Sequence, residues 1–304
     1  MIVVKIKGGL GNQMFEYAMA RKFQLDYGIK KVAFETSVIG ADQQRRLELS
    51  QFAFFEPSMI PAAPGRIVRM QEWFRKKMVS YFIAGRPEET AERRENYLSA
   101  FFALLGIVQR DHSRVRESFW LKLHRNIYIN GWFQEAALFE PDREVLLRDF
   151  AYTAPGLADT EICRRIRTEN SVCVHVRRGD YINHPVFDVC GAAYYCRAME
   201  RITQMVKNPV FFIFSDDIER VEREINFPYP VVYVRDRHEA CDELFLMRQC
   251  RHFILSNSTF SWWAQFLGEA VDKVVVAPAK WHRTDGTNRD IYMNEWILVD
   301  VDTE

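Results

Sequence analysis

Hydrophobic and polar positions change period several times along the chain. Residues 2–6 form a short apolar run broken by Lys5 and followed by glycines at 8, 9 and 11, which predicts a strand and a turn. Over residues 12–27, Met14, Phe15, Ala18, Met19 and Leu25 recur at helical spacing, and Gly28 supplies a stop. KKVAFE (30–35) returns to strand. Residues from about 66 to 125 predict helices instead, and NIYINGWFQ (126–134) another strand and turn. APGLADT (154–160), with Pro155 and Gly156, reads as a linker leading into a helix near Asp159. Beyond it the alternation restarts. Strands are predicted at 171–176, within PVFFIFSDD (209–217), and at 231–234, 252–257 and 273–278. Helices are predicted at 192–206, 242–250 and 261–270. Strict strand–helix alternation predicts an α/β fold with doubly wound sheets, here two of them, 1–155 and 156–304.

Composition narrows the partners. Lys plus Arg and Asp plus Glu both total 41, so general coating of nucleic acid is excluded and any anion site must be a local cluster. The opening MIVVKIKGGLGNQ has the length and charge pattern of neither a secretory signal nor a membrane anchor, and the six cysteines show no CxxC spacing. Free thiols in a cytoplasmic protein are therefore expected. The 66–125 segment is more basic than acidic, and EWFRKKMVSYF (72–82) carries Trp73, Phe74, Met78, Tyr81 and Phe82. Its spacing predicts helices packed on a core with a solvated basic face. The same composition also suits a surface resting on anionic lipid at the inner face of the plasma membrane.

Three strand ends carry candidate chemistry. In VCVHVRRGDYI (172–182) the apolar run gives way to Arg177 and Arg178, which cannot be buried without partners. Side chains two apart share a face, so Arg177 points with His175 and Arg178 the other way. A guanidinium fork suits a phosphate, Gly179 permits close backbone approach, and Asp180 can hold an arginine. The plain alternative is a structural ion pair between Asp180 and one arginine. FFIF ends in Ser215, Asp216 and Asp217, and FIL ends in Ser256, Asn257, Ser258, Thr259 and Ser261 ahead of Trp262 and Trp263. Helix capping accounts for one such hydroxyl. Together these ends predict a nucleoside diphosphate site with its own cations. Near the N-terminus, GGLGNQ places Gly8, Gly9 and Gly11 between strand and helix, an anion-friendly turn, with Asn12 and Gln13 offering amides to a sugar.

GGLGNQMFEYA (8–18), HVRRGDY (175–181), FSDD (214–217), DELFLMRQCRHFILSNSTFSWWAQFLG (242–268) and KVVVAPAKW (273–281) resemble the alpha-1,2-fucosyltransferases of glycosyltransferase family eleven, as does GWFQ (131–134). The likeness runs from residue 8 to about 282 and is poorest near 40–125. It implies a GT-B fold, two Rossmann-like domains facing a cleft: an acceptor-binding domain over 1–155 and a GDP-fucose-binding domain over 156–304. It implies inverting transfer of L-fucose from GDP-beta-L-fucose to the 2-OH of a terminal beta-galactoside, free or in a lipid-linked glycan, without a metal ion.

Carried onto this chain, the resemblance implies that Arg177 holds the beta-phosphate with His175 and Arg178 in support. Asp216 then reads guanine, Asn257, Ser258, Thr259 and Ser261 line the diphosphate, and Gly9, Asn12 and Gln13 form the acceptor-side loop. Asp180, Glu16 and Glu135 compete as general base. Glu16 replaces a frequent Gln and Phe133 an expected Trp. Animal relatives carry an N-terminal membrane anchor, so a bacterial enzyme of surface-glycan assembly is expected. Three rivals are weaker. An NAD-dependent oxidoreductase rests on Gly9, Gly11 and Glu35, with Met14 in the third glycine place of that fingerprint. A metal-dependent transferase would need DVD (300–302), in the tail. A sensor without turnover would keep the donor site alone.

Overall fold

The computed structural model describes the chain except residues 42–44, 62–64, 112–118, 155, 236–238, 284–288 and 302–304. Pro155 of the expected linker and Asp302 of DVD lie outside the described residues. The chain divides into two compact units, Met1–Asp149 and Phe150–Glu304.

In the first unit, β1 (Ile2–Lys5), β2 (Val32–Glu35), β3 (Ile107–Arg110) and β4 (Ile127–Gly131) form a parallel sheet in the order β2-β1-β4-β3. Helix α1 (Leu10–Tyr27) starts two residues before the expected Asn12, because Gly9 takes the extended N-cap conformation, and ends at Gly28 with φ 66°. Successive strand residues face opposite sides. Val3, Ala33, Ile107 and Tyr128 pack against α2 (Arg66–Phe82) and α3 (Glu88–Leu104). On the other face Phe34 meets Tyr17 of α1 edge-on at 6.3 Å. The sheet is thus covered on both sides, which is why β1, β2 and β4 read as nearly continuous apolar runs.

Segment 66–125, expected to be helical, contains β3. Gly106 at φ 69° ends the preceding turn, and Gln109 and Arg110 conceal the strand by their polarity although both are buried. Gln109 accepts from Arg75 Nη1 at 3.0 Å and Asn130 Nδ2 at 2.8 Å and donates to Asp111 at 2.7 Å. A buried amide with all its partners supplied costs little.

The second unit holds β5 (Ser171–Val176), β6 (Val210–Ser215), β7 (Val231–Tyr233), β8 (His252–Ile254), β9 (Val275–Pro278) and β10 (Ile297–Val299) in the parallel order β10-β9-β8-β5-β6-β7. The helices are α4 (Glu161–Thr168), α5 (Ala192–Met205), α6 (Ile218–Glu224), α7 (Ala240–Arg248) and α8 (Thr259–Leu267). Sequence periodicity does not show β10, a three-residue edge strand only partly buried. Val172, Val174 and Val176 pack on Tyr194, Tyr195, Ala198 and Met199 of α5. Trp262 and Trp263 of α8 are fully enclosed, their rings edge-to-face at 5.0 Å. Each such burial stabilises by roughly 2–3 kcal/mol.

Strand order reverses beside β5 in this sheet and beside β1 in the first. Open α/β sheets bind ligands beyond the carboxyl ends of strands at such reversals. Among the described residues no helix is long and apolar enough to cross a membrane. All six cysteines are free thiols.

Candidate active site

In the second unit the reversal lies between β5 and β8, and a hydrogen bond spans it: His175 Nδ1 and Ser256 Oγ are 2.7 Å apart. Burial first, and the nearby Arg177 charge second, push the His175 pKa down to about 3, so the ring is neutral. It orders the site and carries no charge to a phosphate.

Arg177 follows on the His175 side. Its Nε and Nη2 donate to Asp180 Oδ1 at 3.2 and 2.7 Å, Nη1 stands 3.3 Å from Asp216 Oδ2, and the guanidinium lies 5.4 Å from the Tyr181 ring centre. Burial opposes its charge, but Asp216 and then Asp180 outweigh that and hold its pKa above the ordinary arginine value. A guanidinium gripped on two edges and one face is preorganised, and the second N–H on each of Nη1 and Nη2 suits an incoming anion.

Arg178 turns the opposite way and is buried. Its Nη1 donates to the Cys190 carbonyl at 3.3 Å, Nε stands 3.7 Å from Glu224, and its backbone N–H donates to Asp216 Oδ1 at 2.8 Å. It pins the loop. Asp216 therefore contacts both arginines, one through each carboxylate oxygen. Gly179 is required where it stands, because a Cβ there would collide with the Asp216 carboxylate.

The polar run after β8 is mostly turned inward. Asn257 Nδ2 donates to the Phe187 and Trp281 carbonyls, both at 3.0 Å. Ser258 caps α8 by accepting from Phe260 N at 3.3 Å, and Ser261 Oγ donates to Ser258 O at 3.0 Å. Thr259 and Phe260 are half-buried, with Phe260 5.8 Å from the His175 ring. Beside FSDD, Asp217 caps α6 by accepting from Arg220 N at 3.1 Å.

Sequence reasoning missed Glu243 on α7. Burial first, then the Asp216 charge, push its carboxyl up to about 7, with Arg177 opposing. The signal was present in DELFLMRQC: an acid directly ahead of the buried apolar run Leu244–Met247.

At the reversal of the first sheet, Lys7 and Trp132 follow the ends of β1 and β4. Lys7 Nζ stands 3.9 Å over the Trp132 ring and 3.2 Å from Asp111, which follows β3. Asn12 Oδ1 accepts from Gln134 Nε2 at 3.2 Å, and Phe133 between these residues has the left-handed φ of 51°. Amide, carboxylate and aromatic groups thus gather at one edge, a composition suited to sugar hydroxyls and ring faces. Trp132, Asp111 and Lys7 were not singled out from the sequence.

Three residues of the GGLGNQ region serve the fold. Gln13 is fully buried, donating to Gly8 O at 3.0 Å and Arg46 O at 2.7 Å and accepting from Glu48 N at 3.0 Å, so it is not offered to a sugar. Glu16 is 0% exposed and accepts the Lys7 N–H at 2.8 Å. Burial drives its pKa well above the carboxylate range, with the Lys7 N–H opposing. Gly9 caps α1.

The family model for Glycosyl transferase family 11 matches residues 1–300. The chain belongs to glycosyl transferase family 11. Among curated relatives, the Escherichia coli O-antigen biosynthesis glycosyltransferase WbnK is 28% identical, over 96% of this chain and 98% of its own. An Escherichia coli alpha-1,2-colitosyltransferase is 24% identical over 99% of both chains. Rat galactoside alpha-(1,2)-fucosyltransferase 1 is 32% identical over 34% of this chain and 29% of its own. Among solved structures, NodZ alpha-1,6-fucosyltransferase co-crystallised with GDP aligns over 88% of this chain and 91% of its own, at 16% identity and TM-score 0.48. The protein is therefore a glycosyltransferase, and the family-11 match extends beyond residues 8–282, through the region near 40–125 where the motifs are poorest.

Proposed function

We propose that this enzyme transfers L-fucose from GDP-beta-L-fucose to the 2-OH of a terminal beta-galactoside, with inversion, forming an alpha-1,2 bond. The observation that carries the reading is Arg177, held by Asp180, Asp216 and Tyr181 beyond the carboxyl end of β5 at the strand-order reversal. Negative charge grows on the departing diphosphate as the glycosidic bond breaks. A fixed guanidinium stabilises that charge, and removing one such donor typically costs ~3–4 kcal/mol of barrier. Arg177 takes this role without a metal ion. Arg178 and Asp216 keep it in place, and Thr259 with the α8 N-terminus lies along the phosphates. Asp216 was expected to read guanine; one of its oxygens accepts the Arg178 N–H and the other stands near Arg177, which supports a part for it in setting the arginine loop.

The first unit takes the galactoside. Trp132 offers a ring face, and Asp111 and Asn12 bind hydroxyls. Of the three carboxylates expected to compete as base, Glu16 is enclosed, whereas Asp180 and Glu135 are not. Asp180→Asn and Glu135→Gln with a pH–rate profile distinguish them, because loss of the base removes the acid limb.

The decisive experiment incubates the enzyme with GDP-fucose and a panel of beta-galactosides, with and without EDTA, and locates the new bond by NMR. An alpha-1,2-fucosyl product in EDTA supports the proposal, and a different linkage or a metal requirement overturns it. A second donor sugar, colitose, is favoured by the colitosyltransferase relative that spans both chains, and competition between the two activated sugars decides between them. Action on a lipid-linked glycan at the cytoplasmic side of surface-glycan assembly fits the O-antigen relative.

A further inference from the structure

Eleven of the eighteen large apolar side chains that stand exposed among the described residues fall between residues 67 and 123. Helix α2 presents Ile67, Met70 and Trp73 to solvent, the last two 64% and 59% exposed. Phe74 and Phe101 are in ring contact at 5.8 Å and Arg94 Nη1 donates to Phe82 O at 2.9 Å, so α2 and α3 run antiparallel. That arrangement brings the exposed Tyr97, Phe101 and Leu104 of α3 to the same end of the hairpin as Trp73. A one-turn helix, Phe119–Lys122, joins this end, because His124 Nε2 contacts Leu104 O at 3.0 Å and Gln71 Nε2 reaches Leu105 O at 3.0 Å and Asn126 O at 3.4 Å. It adds exposed Phe119, Trp120 and Leu123.

The charges are as one-sided as the apolar groups. Across residues 65–77, 97–106 and 119–125 the cations Arg66, Arg69, Lys76, Lys77, Lys122 and Arg125 are exposed. The single acid there, Glu72, has a side chain only 15% exposed and is paired with Lys5 at 2.9 Å and Lys76 at 3.1 Å. The opposite end of the hairpin is mixed, with the exposed acids Glu88, Glu89 and Glu92 beside exposed Arg86 and Arg93. Lys77 Nζ lies 4.9 Å over the Trp73 ring.

We propose that this end of the α2–α3 hairpin, with the Phe119–Lys122 turn, docks on an anionic lipid surface, its aromatic side chains entering the headgroup boundary and its Lys and Arg side chains meeting lipid phosphates. Exposed aromatics fringed by cations have the composition of interfacial helices. Two copies of the face would bring like charges together, which disfavours self-association through it. Sedimentation with vesicles tests this independently of any donor or acceptor. The full chain is mixed with vesicles of phosphatidylcholine alone, or of phosphatidylcholine and phosphatidylglycerol in equal parts, at low and high salt. Binding to the anionic vesicles is expected to exceed binding to the neutral ones at least tenfold and to weaken with salt. Arg66→Glu with Arg69→Glu abolishes it, and Trp73→Ala with Phe119→Ala lowers it severalfold, while unchanged melting temperatures show that all variants fold. No sedimentation, equal sedimentation with both vesicle types, or binding that survives both double substitutions overturns the proposal. So does a dimer in size-exclusion chromatography that Trp73→Ala with Phe119→Ala converts to monomer, since the face would then belong to a second copy.

Discussion

At the reversal of the first sheet, Lys7 and Asp111 neutralise each other beside the Trp132 ring. At the reversal of the second, two carboxylates, Asp180 and Asp216, hold one guanidinium, Arg177, and the Glu243 carboxyl feels both Asp216 and Arg177. Burial first, and the Asp216 charge second, raise the Glu243 pKa to about 7. The first edge is a mutually neutralised ion pair beside an aromatic ring, and the second is a fixed cation whose neighbours keep its orientation. Two similar sheets thus present unlike chemistry at the same topological position, and only the second is suited to developing phosphate charge. The difference at the two edges lies in the residues that follow the strands: Lys7, Asp111 and Trp132 in one, Arg177, Asp180 and Asp216 in the other.

Arg177→Ala has the largest expected effect. Turnover is expected to fall at least about a hundredfold with the melting temperature nearly unchanged; near wild-type kcat would remove the second edge from the chemistry. Trp132→Ala addresses the first edge. Loss of a stacking face worth ~1–2 kcal/mol should raise the galactoside KM about tenfold and leave the KM for GDP-fucose within twofold. An equal rise in both would merge the two roles.

Gly179→Ala probes the support of the arginine. The new methyl meets the Asp216 carboxylate, so GDP affinity and stability should both fall, by about 1–3 kcal/mol in stability. Gly191→Ala is the matched control, because a Cβ there has nothing within 4 Å. Equal stability of the two variants, measured by urea unfolding, would contradict the packing described.

The smallest effects are in the pH dependence of stability, where two groups act with opposite sign. Glu243 has a raised folded pKa, so its charging costs the folded state increasingly between the unfolded value near 4.5 and about 7. Glu243→Gln should therefore stabilise at pH 8, by up to about 2–3 kcal/mol, and do nothing at pH 4. His175 has a depressed folded pKa; its contribution is whole above the unfolded value near 6.5 and is lost as pH falls toward 3. A His175→Asn variant should lose less stability than wild type over that acid range. Melting curves against pH that run parallel for variant and parent in either case would contradict the assigned burial.

The two units also differ in how far the sequence disclosed them. β5 was legible to the residue at Ser171–Val176, since an inner parallel strand is a continuous apolar run. β3 was not, because Gln109 and Arg110 are polar and the partners of Gln109, namely Arg75, Asn130 and Glu95, come from distant segments. The same blindness affected the site. Asn257 and Gln13 looked like ligand-binding amides by type and place. Each is held by backbone groups far along the chain, Phe187 and Trp281 for one and Arg46 and Glu48 for the other. Residue type gives what a side chain can bind, whereas long-range closure decides whether it is already occupied. Lys7, Asp111 and Trp132 were missed for the converse reason, since three strands must pair in order before those residues become neighbours.

The double engagement of Asp216 has a consequence for genetics. Substituting it frees the Arg178 amide and removes one of the two carboxylates that hold Arg177, so weakened nucleotide binding in such a variant would not by itself be evidence of base recognition. Preference for one purine over another is better asked of the intact chain, by ranking nucleoside diphosphates as competitors.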